Sequence, residues 1–266
     1  TIIKPNIGLS PEDIADLVAR LCEAGADFVK DDEIAGTHPH APVDARIRAV
    51  MDRVRRHRDR TGKLVMVAFN ITDETDAMRR HADLLAAEEG TCAMVSLNWV
   101  GLSAVQTLRR HSPLAIHGHR NGFGGMGRHP LLGMGVRAYQ ALYRLAGIDH
   151  LHVHGMGGKF SDLDEDVTEA ARHCLTPMAA GDDRVMPVFS SGQWAGTLPH
   201  TLDRIGSDDL MFLSGGGIMA HPGGPAAGLA SLRQAHEAVD AGIPLEQYAR
   251  THAELAQAMT RFGAKG

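Results

Sequence analysis

The chain has 266 residues, 44% of them hydrophobic, which is enough for one large domain with a sizeable core or for two small ones. Twenty-seven Lys and Arg stand against 32 Asp and Glu, a net charge of -5, so the chain lacks the general basic footprint expected of a nucleic-acid or anionic-membrane binder. No apolar run approaches the ~18 residues of a spanning helix.

In chain order, apolar runs that read as strands cover residues 1–7, 27–33, 63–70, 92–100, 114–120, 150–156, 185–191 and 210–216. Helical periodicity fills the gaps. The first helix opens at Ser10-Pro11-Glu12-Asp13, an N-cap serine followed by proline and acids, and closes near Gly25. Others are expected over 43–60, 73–89, 101–111, 134–147, 163–174, 197–205 and 225–241, with one or two more in 244–262. Eight strand–helix alternations predict a (β/α)8 TIM barrel spanning 1–266 with a C-terminal helical extension. An open doubly wound sheet is the competitor, but it would gather its polar and glycine residues at one switch point, whereas here they end nearly every strand. Thr1-Ile2-Ile3-Lys4 has neither a signal-peptide apolar region nor an initiator Met, and the expectation is that a domain preceding this barrel is missing. Three scattered cysteines, Cys22, Cys92 and Cys174, argue against a disulfide framework and for a cytoplasmic protein.

Three clusters could carry chemistry. On the second strand, Lys30 and Asp32 share a face by the two-residue period, with Glu33 just beyond. Two acids at a barrel mouth suit Mg2+, which takes hard oxygen ligands. The lysine joins them as a ligand only if CO2 converts it to a carbamate, and a plain salt bridge is the simpler alternative. Five of the sixteen histidines lie on two strands, as His117-Gly118-His119 and His150-Leu151-His152-Val153-His154, and Arg120 follows with a fork suited to phosphate or carboxylate. These rings suit metal ligation, proton transfer or anion binding, or simply packing. The last two strands end Ser190-Ser191-Gly192 and Ser214-Gly215-Gly216-Gly217, at the two places where barrels frequently bind phosphate. By contrast, Gly122-Phe123-Gly124-Gly125-Met126-Gly127 matches a dinucleotide-binding pattern only formally, since Arg128-His129-Pro130 follows where a helix should run.

Taken together, these motifs resemble the catalytic barrel of the RuBisCO large subunit, most closely the form IV RuBisCO-like proteins of non-photosynthetic type, from residue 1 to about 229. The resemblance implies a carbamylated Lys30 that binds Mg2+ with Asp32 and Glu33, Asp31 lying outside the ligand set. It implies catalytic roles for Lys4, Lys30, His119, His152 and Lys159, and substrate or phosphate contacts for Arg120, Ser190, Gly192, Gly215 and Gly216. It also implies a homodimer in which a small N-terminal α/β domain, absent from this chain, completes the partner's site. Two departures stand out: Asn6 replaces the second lysine of the family's Lys-Pro-Lys, and Phe123 replaces a second histidine. The expected activity is therefore enediolate chemistry on a phosphorylated keto-sugar or keto-sugar acid, not CO2 fixation. The leading candidate is 3-oxo-isoapionate 4-phosphate, undergoing transcarboxylation and hydrolysis. Alternatives are a methionine-salvage enolase or isomerase acting on a methylthio-sugar phosphate, a dinuclear metallohydrolase, and a non-catalytic sugar-phosphate sensor.

Overall fold

The computed structural model describes residues 1–129, 131–157, 163–178 and 181–263. Seven parallel strands pair strictly in chain order: β1 (Phe28–Lys30), β2 (Met66–Asn70), β3 (Cys92–Ser96), β4 (Ala115–His119), β5 (His150–His154), β6 (Met186–Phe189) and β7 (Met211–Phe212). A sheet wound in sequence order has no switch point, which excludes the doubly wound alternative. Residues 1–3 supply the eighth position beside β1, where Ile3 N–H donates to Lys30 O at 2.9 Å and Lys30 N–H to Thr1 O at 2.9 Å. The sheet curls until its ends meet. A Cβ added to Gly215, just past β7, would stand 2.8 Å from Ile2 Cγ2. This is the (β/α)8 arrangement.

The helices lie outside the sheet: α1 (Pro11–Glu23), α2 (Val43–Thr61), α3 (Thr75–Ala87), α4 (Leu97–His111), α5 (Gly124–Gly127), α6 (Val136–Ala146), α7 (Asp164–Leu175), α8 (Leu198–Ile205), α9 (Gly216–Met219), α10 (Gly224–Asp240), α11 (Leu245–Tyr248) and α12 (Ala253–Phe262). The capping box at the head of α1 forms as the sequence predicts, with Ser10 and Asp13 satisfying each other's backbone N–H. The main core fills the space between strands and helices with residues such as Val18, Ile47, Val67, Val95 and Leu151. A smaller cluster of Phe28, Ala68, Cys92, Met94, Val188 and Leu213 lines the barrel interior.

Three strand expectations need correction. Residues 1–7 pair only at Ile2, because Pro5 has no N–H to donate and residues 5–8 are exposed. Residues 97–100 belong to α4, which is interrupted at Gly101 (φ 77°, ψ 168°), so β3 stops at Ser96. Residues 214–216 leave the ladder after β7, Leu213 N–H still donating to Phe189 O at 2.7 Å, because the chain turns into α9. Among the described residues no helix is long and apolar enough to cross a membrane.

Candidate active site

The C-terminal end of β1 carries the centre of the site. Lys30 is buried, 1% exposed, and its Nζ donates to Glu33 Oε2 at 2.8 Å and to Asp31 O at 2.9 Å. Lys4 Nζ donates to Asp32 Oδ2 at 2.6 Å. Asp31 faces away from both lysines' partners and pairs with the guanidinium of Arg46 at 3.1 Å, two side chains each at most 3% exposed. Asn70, closing β2, fixes the turn by donating Nδ2 to Asp32 O and Glu33 O at 3.0 and 3.1 Å. The sequence order Lys-Asp-Asp-Glu thus separates into a structural acid and two acids beside lysines.

The electrostatics follow from burial. Desolvation holds the Lys30 amine below its ordinary range, and Glu33, Asp32 and Asp31 only partly offset this. Burial alone would raise the Glu33 carboxyl, but Lys30 and His119 outweigh it and hold Glu33 at about 2. His119 Nε2 lies 3.6 Å from Glu33 Oε2, and burial, then the Lys30 charge, drives its ring down to about 3.

These groups fit the metal set named from sequence. An unprotonated amine is the form that attacks CO2, and the carbamate formed on loss of a proton would add its oxygens to those of Asp32 and Glu33. The Nζ atoms of Lys30 and Lys4 now occupy Glu33 and Asp32, the two carboxylates that a cation would need. A dinuclear centre finds no comparable support. Among the described residues no group of three or more His, Cys, Asp or Glu is arranged to hold a metal ion, and His117 and His152 spend their Nε2 atoms on each other at 2.8 Å.

Lys4, Lys30, Glu33, His119, Arg120, His152, Ser190, Gly192, Gly215 and Gly216 all line one cleft of about 460 Å3 at the C-terminal ends of the strands. Asp32 adjoins it through Lys4, and Lys159 lies outside the described residues. Ser191 (φ 69°) and Gly192 (φ 89°) are consecutive left-handed residues at the cleft wall. A serine in that conformation is strained, by about 1–3 kcal/mol, and such strain concentrates at functional sites. Gly155, after β5, is required by close approach: a Cβ there would fall 2.2 Å from Ser190 O and 2.0 Å from Gln193 Nε2. Beside this cleft lies a larger cavity of about 650 Å3, lined by Phe123, Met126, Leu131, Leu132, Met134 and Val153 among others, which shares Arg120 and His154 with it. Phe123, the departure noted above, packs under the Arg120 guanidinium, 5.4 Å from ring centre to Cζ.

Sequence reasoning did not single out Arg46, Asn70 or the link from His117 to its neighbours. Arg46 had a readable signal, since it interrupts the apolar stripe Val43, Ile47, Val50, Val54 on α2, and a charge at such a position needs a buried partner. The histidines inside the barrel carry a consequence for stability. His117 and His152 are held well below the ordinary histidine range, first by burial and then by the histidines beside them. Each folded value lies beneath the unfolded one of 6.5, so the unfolded chain takes up more protons as pH falls. Stability is expected to be full above pH 6.5 and to decline steadily below it. Urea midpoints measured across that range check this, and His117→Asn should flatten the slope.

Comparison with known proteins agrees with this geometry. Residues 1–262 match the ribulose bisphosphate carboxylase large chain, catalytic domain. The chain is 48% identical over 260 residues to a 3-oxo-isoapionate-4-phosphate transcarboxylase/hydrolase of Xanthobacter autotrophicus, covering 97% of this chain and 63% of that one. It is 42% identical over 264 residues to a 3-oxo-isoapionate-4-phosphate decarboxylase of Rhizobium etli, covering 98% of this chain and 63% of the relative. Its fold superposes with a TM-score of 0.94 on the crystal structure of a rubisco-like protein from Burkholderia fungorum, at 60% identity, over 97% of this chain and 64% of that one. The chain thus spans a little under two thirds of these relatives' length. With the family's catalytic domain matched along nearly its whole length and the sequence motifs gathered at one barrel mouth, the chain belongs to the RuBisCO large-chain family.

Proposed function

We propose that this barrel is the catalytic part of a Mg2+-dependent enzyme that forms an enediolate-type intermediate on a phosphorylated keto-sugar acid, with 3-oxo-isoapionate 4-phosphate as substrate. The observation that carries the reading is the buried Lys30, its amine depressed by desolvation and flanked by Glu33 and Asp32, opening into the cleft that also holds Arg120 and the two glycine loops. Lys30 as a carbamate, Asp32 and Glu33 would hold Mg2+, which when bound supplies a Lewis acid for vicinal substrate oxygens. Backbone N–H groups of the 190–192 and 215–217 loops and the Arg120 guanidinium bind the phosphate and fix the carbon skeleton. Lys4, 40% exposed at the cleft wall, and the neutral ring of His119 stand where a proton can be taken up or delivered. The relatives' names support the substrate, and their two activities, decarboxylation and transcarboxylation with hydrolysis, both begin from the same 3-oxo acid.

Carboxylation is not expected. At position 6 a neutral amide stands where the family pattern has an ammonium, and Phe123 offers no hydrogen bond while its face is taken by Arg120. Each lost preorganised donor typically costs ~10²–10³-fold. Incubation with labelled CO2 and ribulose 1,5-bisphosphate should give no labelled 3-phosphoglycerate, whereas 3-oxo-isoapionate 4-phosphate should be consumed in a Mg2+-dependent reaction. The reverse pattern would remove this reading.

A second reading has one observation in its favour. The cavity beside Phe123 is lined on one side by Phe123, Met126, Leu131, Leu132 and Met134, which could seat a methylthio group, although Arg120, Arg128, His154 and Asp166 line it too. Turnover of a methylthio-sugar phosphate in preference to the keto-sugar acid would select it. For the assembly we propose a homodimer. Its support is the exposure of Leu131 and Leu132, 84% and 73%, where solvent-facing apolar surface borders the mouth.

A further inference from the structure

Barrel interiors are usually filled by branched aliphatic side chains. Here an unbroken line of polar side chains crosses the interior instead. Ser190 Oγ, at the cleft, lies 2.9 Å from His152 Nδ1, His152 Nε2 lies 2.8 Å from His117 Nε2, and His117 Nδ1 lies 3.3 Å from His150 Nδ1. Each inner ring uses both nitrogens within the line. His150 is the first residue of β5, at the end of the barrel opposite the cleft, and is only half-buried, whereas His117 and His152 are 0% and 3% exposed. Phe28 packs against both His117 and His150, at 5.2 and 6.1 Å between ring centres, and shields this stretch on one side.

We propose that Ser190, His152, His117 and His150 form a proton relay between the cleft and the far end of the barrel. Inward transfer balances as follows. A solvent proton joins His150 Nε2 as the Nδ1 proton passes to His117 Nδ1. The Nε2 proton of His117 passes to His152 Nε2, the Nδ1 proton of His152 passes to Ser190 Oγ, and the serine gives its own proton to the substrate carbanion. Every ring is neutral before and after, with its tautomer exchanged. A proton taken from substrate and sent outward along the same line restores the starting tautomers. Imidazole suits this because one nitrogen donates while the other accepts. A purely structural histidine network would need the hydrogen bonds but not the exchange of tautomers. The use of the proton rests on the proposed reaction, and the relay itself does not. His117 and His150 act only through His152 and Ser190, and are positioning residues.

Exchange of ring N–H with D2O, followed by NMR of the whole protein carrying nitrogen-labelled histidine, tests the relay without substrate. The His117 ring proton, although fully buried, should exchange much faster than the backbone amide of Gly118 on the same strand. In the double variant His150→Gln, Ser190→Ala, a hydrogen-bonding side chain remains at 150 but both ends of the relay are cut, and the fast exchange should be lost. His150→Phe with Ser190→Ala replaces it should the first variant not fold. Slow exchange in the wild type, or unchanged exchange in a folded double variant, overturns the proposal. In turnover of 3-oxo-isoapionate 4-phosphate, His150→Gln should lower kcat about 10²-fold at unchanged KM, the lower end of what positioned proton transfer contributes. Because this chain spans under two thirds of its relatives, turnover is measured on the full-length protein; its inactivity would refute the proposed reaction, while the exchange measurement still decides the relay.

Discussion

Replacing Lys30 by methionine is expected to abolish turnover and leave the fold standing. Methionine nearly matches the buried aliphatic stem but brings no amine, so no carbamate forms and the metal set loses one of its three members. Because interactions aimed at developing charge are commonly worth ~10²–10³-fold each, the loss of a whole ligand should reduce kcat at least ~10³-fold. The fold tolerates the change for local reasons. Burying the Lys30 charge is itself unfavourable, and its partner Glu33 is 29% exposed and can turn to water. Asp32 keeps Lys4 at 2.6 Å. The stability change should therefore stay below the ~3–5 kcal/mol lost when one partner of a fully buried pair is removed, because Glu33 regains water. Product assays and urea unfolding of the same preparation check both halves. A folded Lys30→Met protein retaining substantial turnover would show that the lysine is not part of the chemistry.

The largest stability effect is expected at Arg46. Its guanidinium is 2% exposed and meets Asp31 at 3.1 Å, Ala41 O at 2.6 Å, Ala35 O at 2.8 Å and Gly36 O at 3.1 Å. Arg46→Ala leaves a buried carboxylate without its counter-charge and three carbonyls without a donor, a loss of about 3–5 kcal/mol. Burial already pushes the Asp31 carboxyl upward against the pull of Arg46, so in the variant Asp31 should take up a proton. Arg46→Lys should recover little, since a point charge cannot reach four acceptors arranged for a planar fork. Adding Asp31→Asn to Arg46→Ala should recover part of the loss. Thermal and urea unfolding of the single and double variants measure this. A loss near zero for Arg46→Ala would mean that the 31–36 turn is held by Asn70 alone.

The sequence made the barrel legible because its period is written in runs long enough to read: the β2, β4 and β5 segments and helices α3 and α6 fall where hydrophobic periodicity puts them. Legibility failed where local sequence and tertiary pairing disagree. Residues 5–7 look extended, but proline and exposure keep them out of the ladder, and residues 97–100 look strand-like only because Leu97 and Val100 are apolar. In the site, the residues named from sequence other than Asp32, which adjoins through Lys4, and Lys159, which lies outside the described residues, line one cleft because strand ends in a barrel all face one mouth. The division of the adjacent acids is readable from the two-residue period and the family likeness, but the partners that enforce it are not. Arg46 on α2 takes up Asp31 and Lys4 beside β1 takes up Asp32, pairings that depend on how α2 and residues 1–4 pack and that local spacing does not show. The contact of His117 with His152 is likewise set by the pairing of β4 and β5, which spacing alone does not give.

The account turns on the state of Lys30, and the most direct measurement is the electron density at its Nζ in crystals soaked with Mg2+, bicarbonate and a bisphosphate substrate analogue. The account predicts a carbamate on Nζ, with Asp32 and Glu33 turned from Lys4 and Lys30 onto the cation, and a phosphate group seated between Ser191-Gly192 and Gly215-Gly216. An unmodified Lys30 still donating to Glu33 at high bicarbonate, with the analogue's phosphates bound elsewhere, would contradict it.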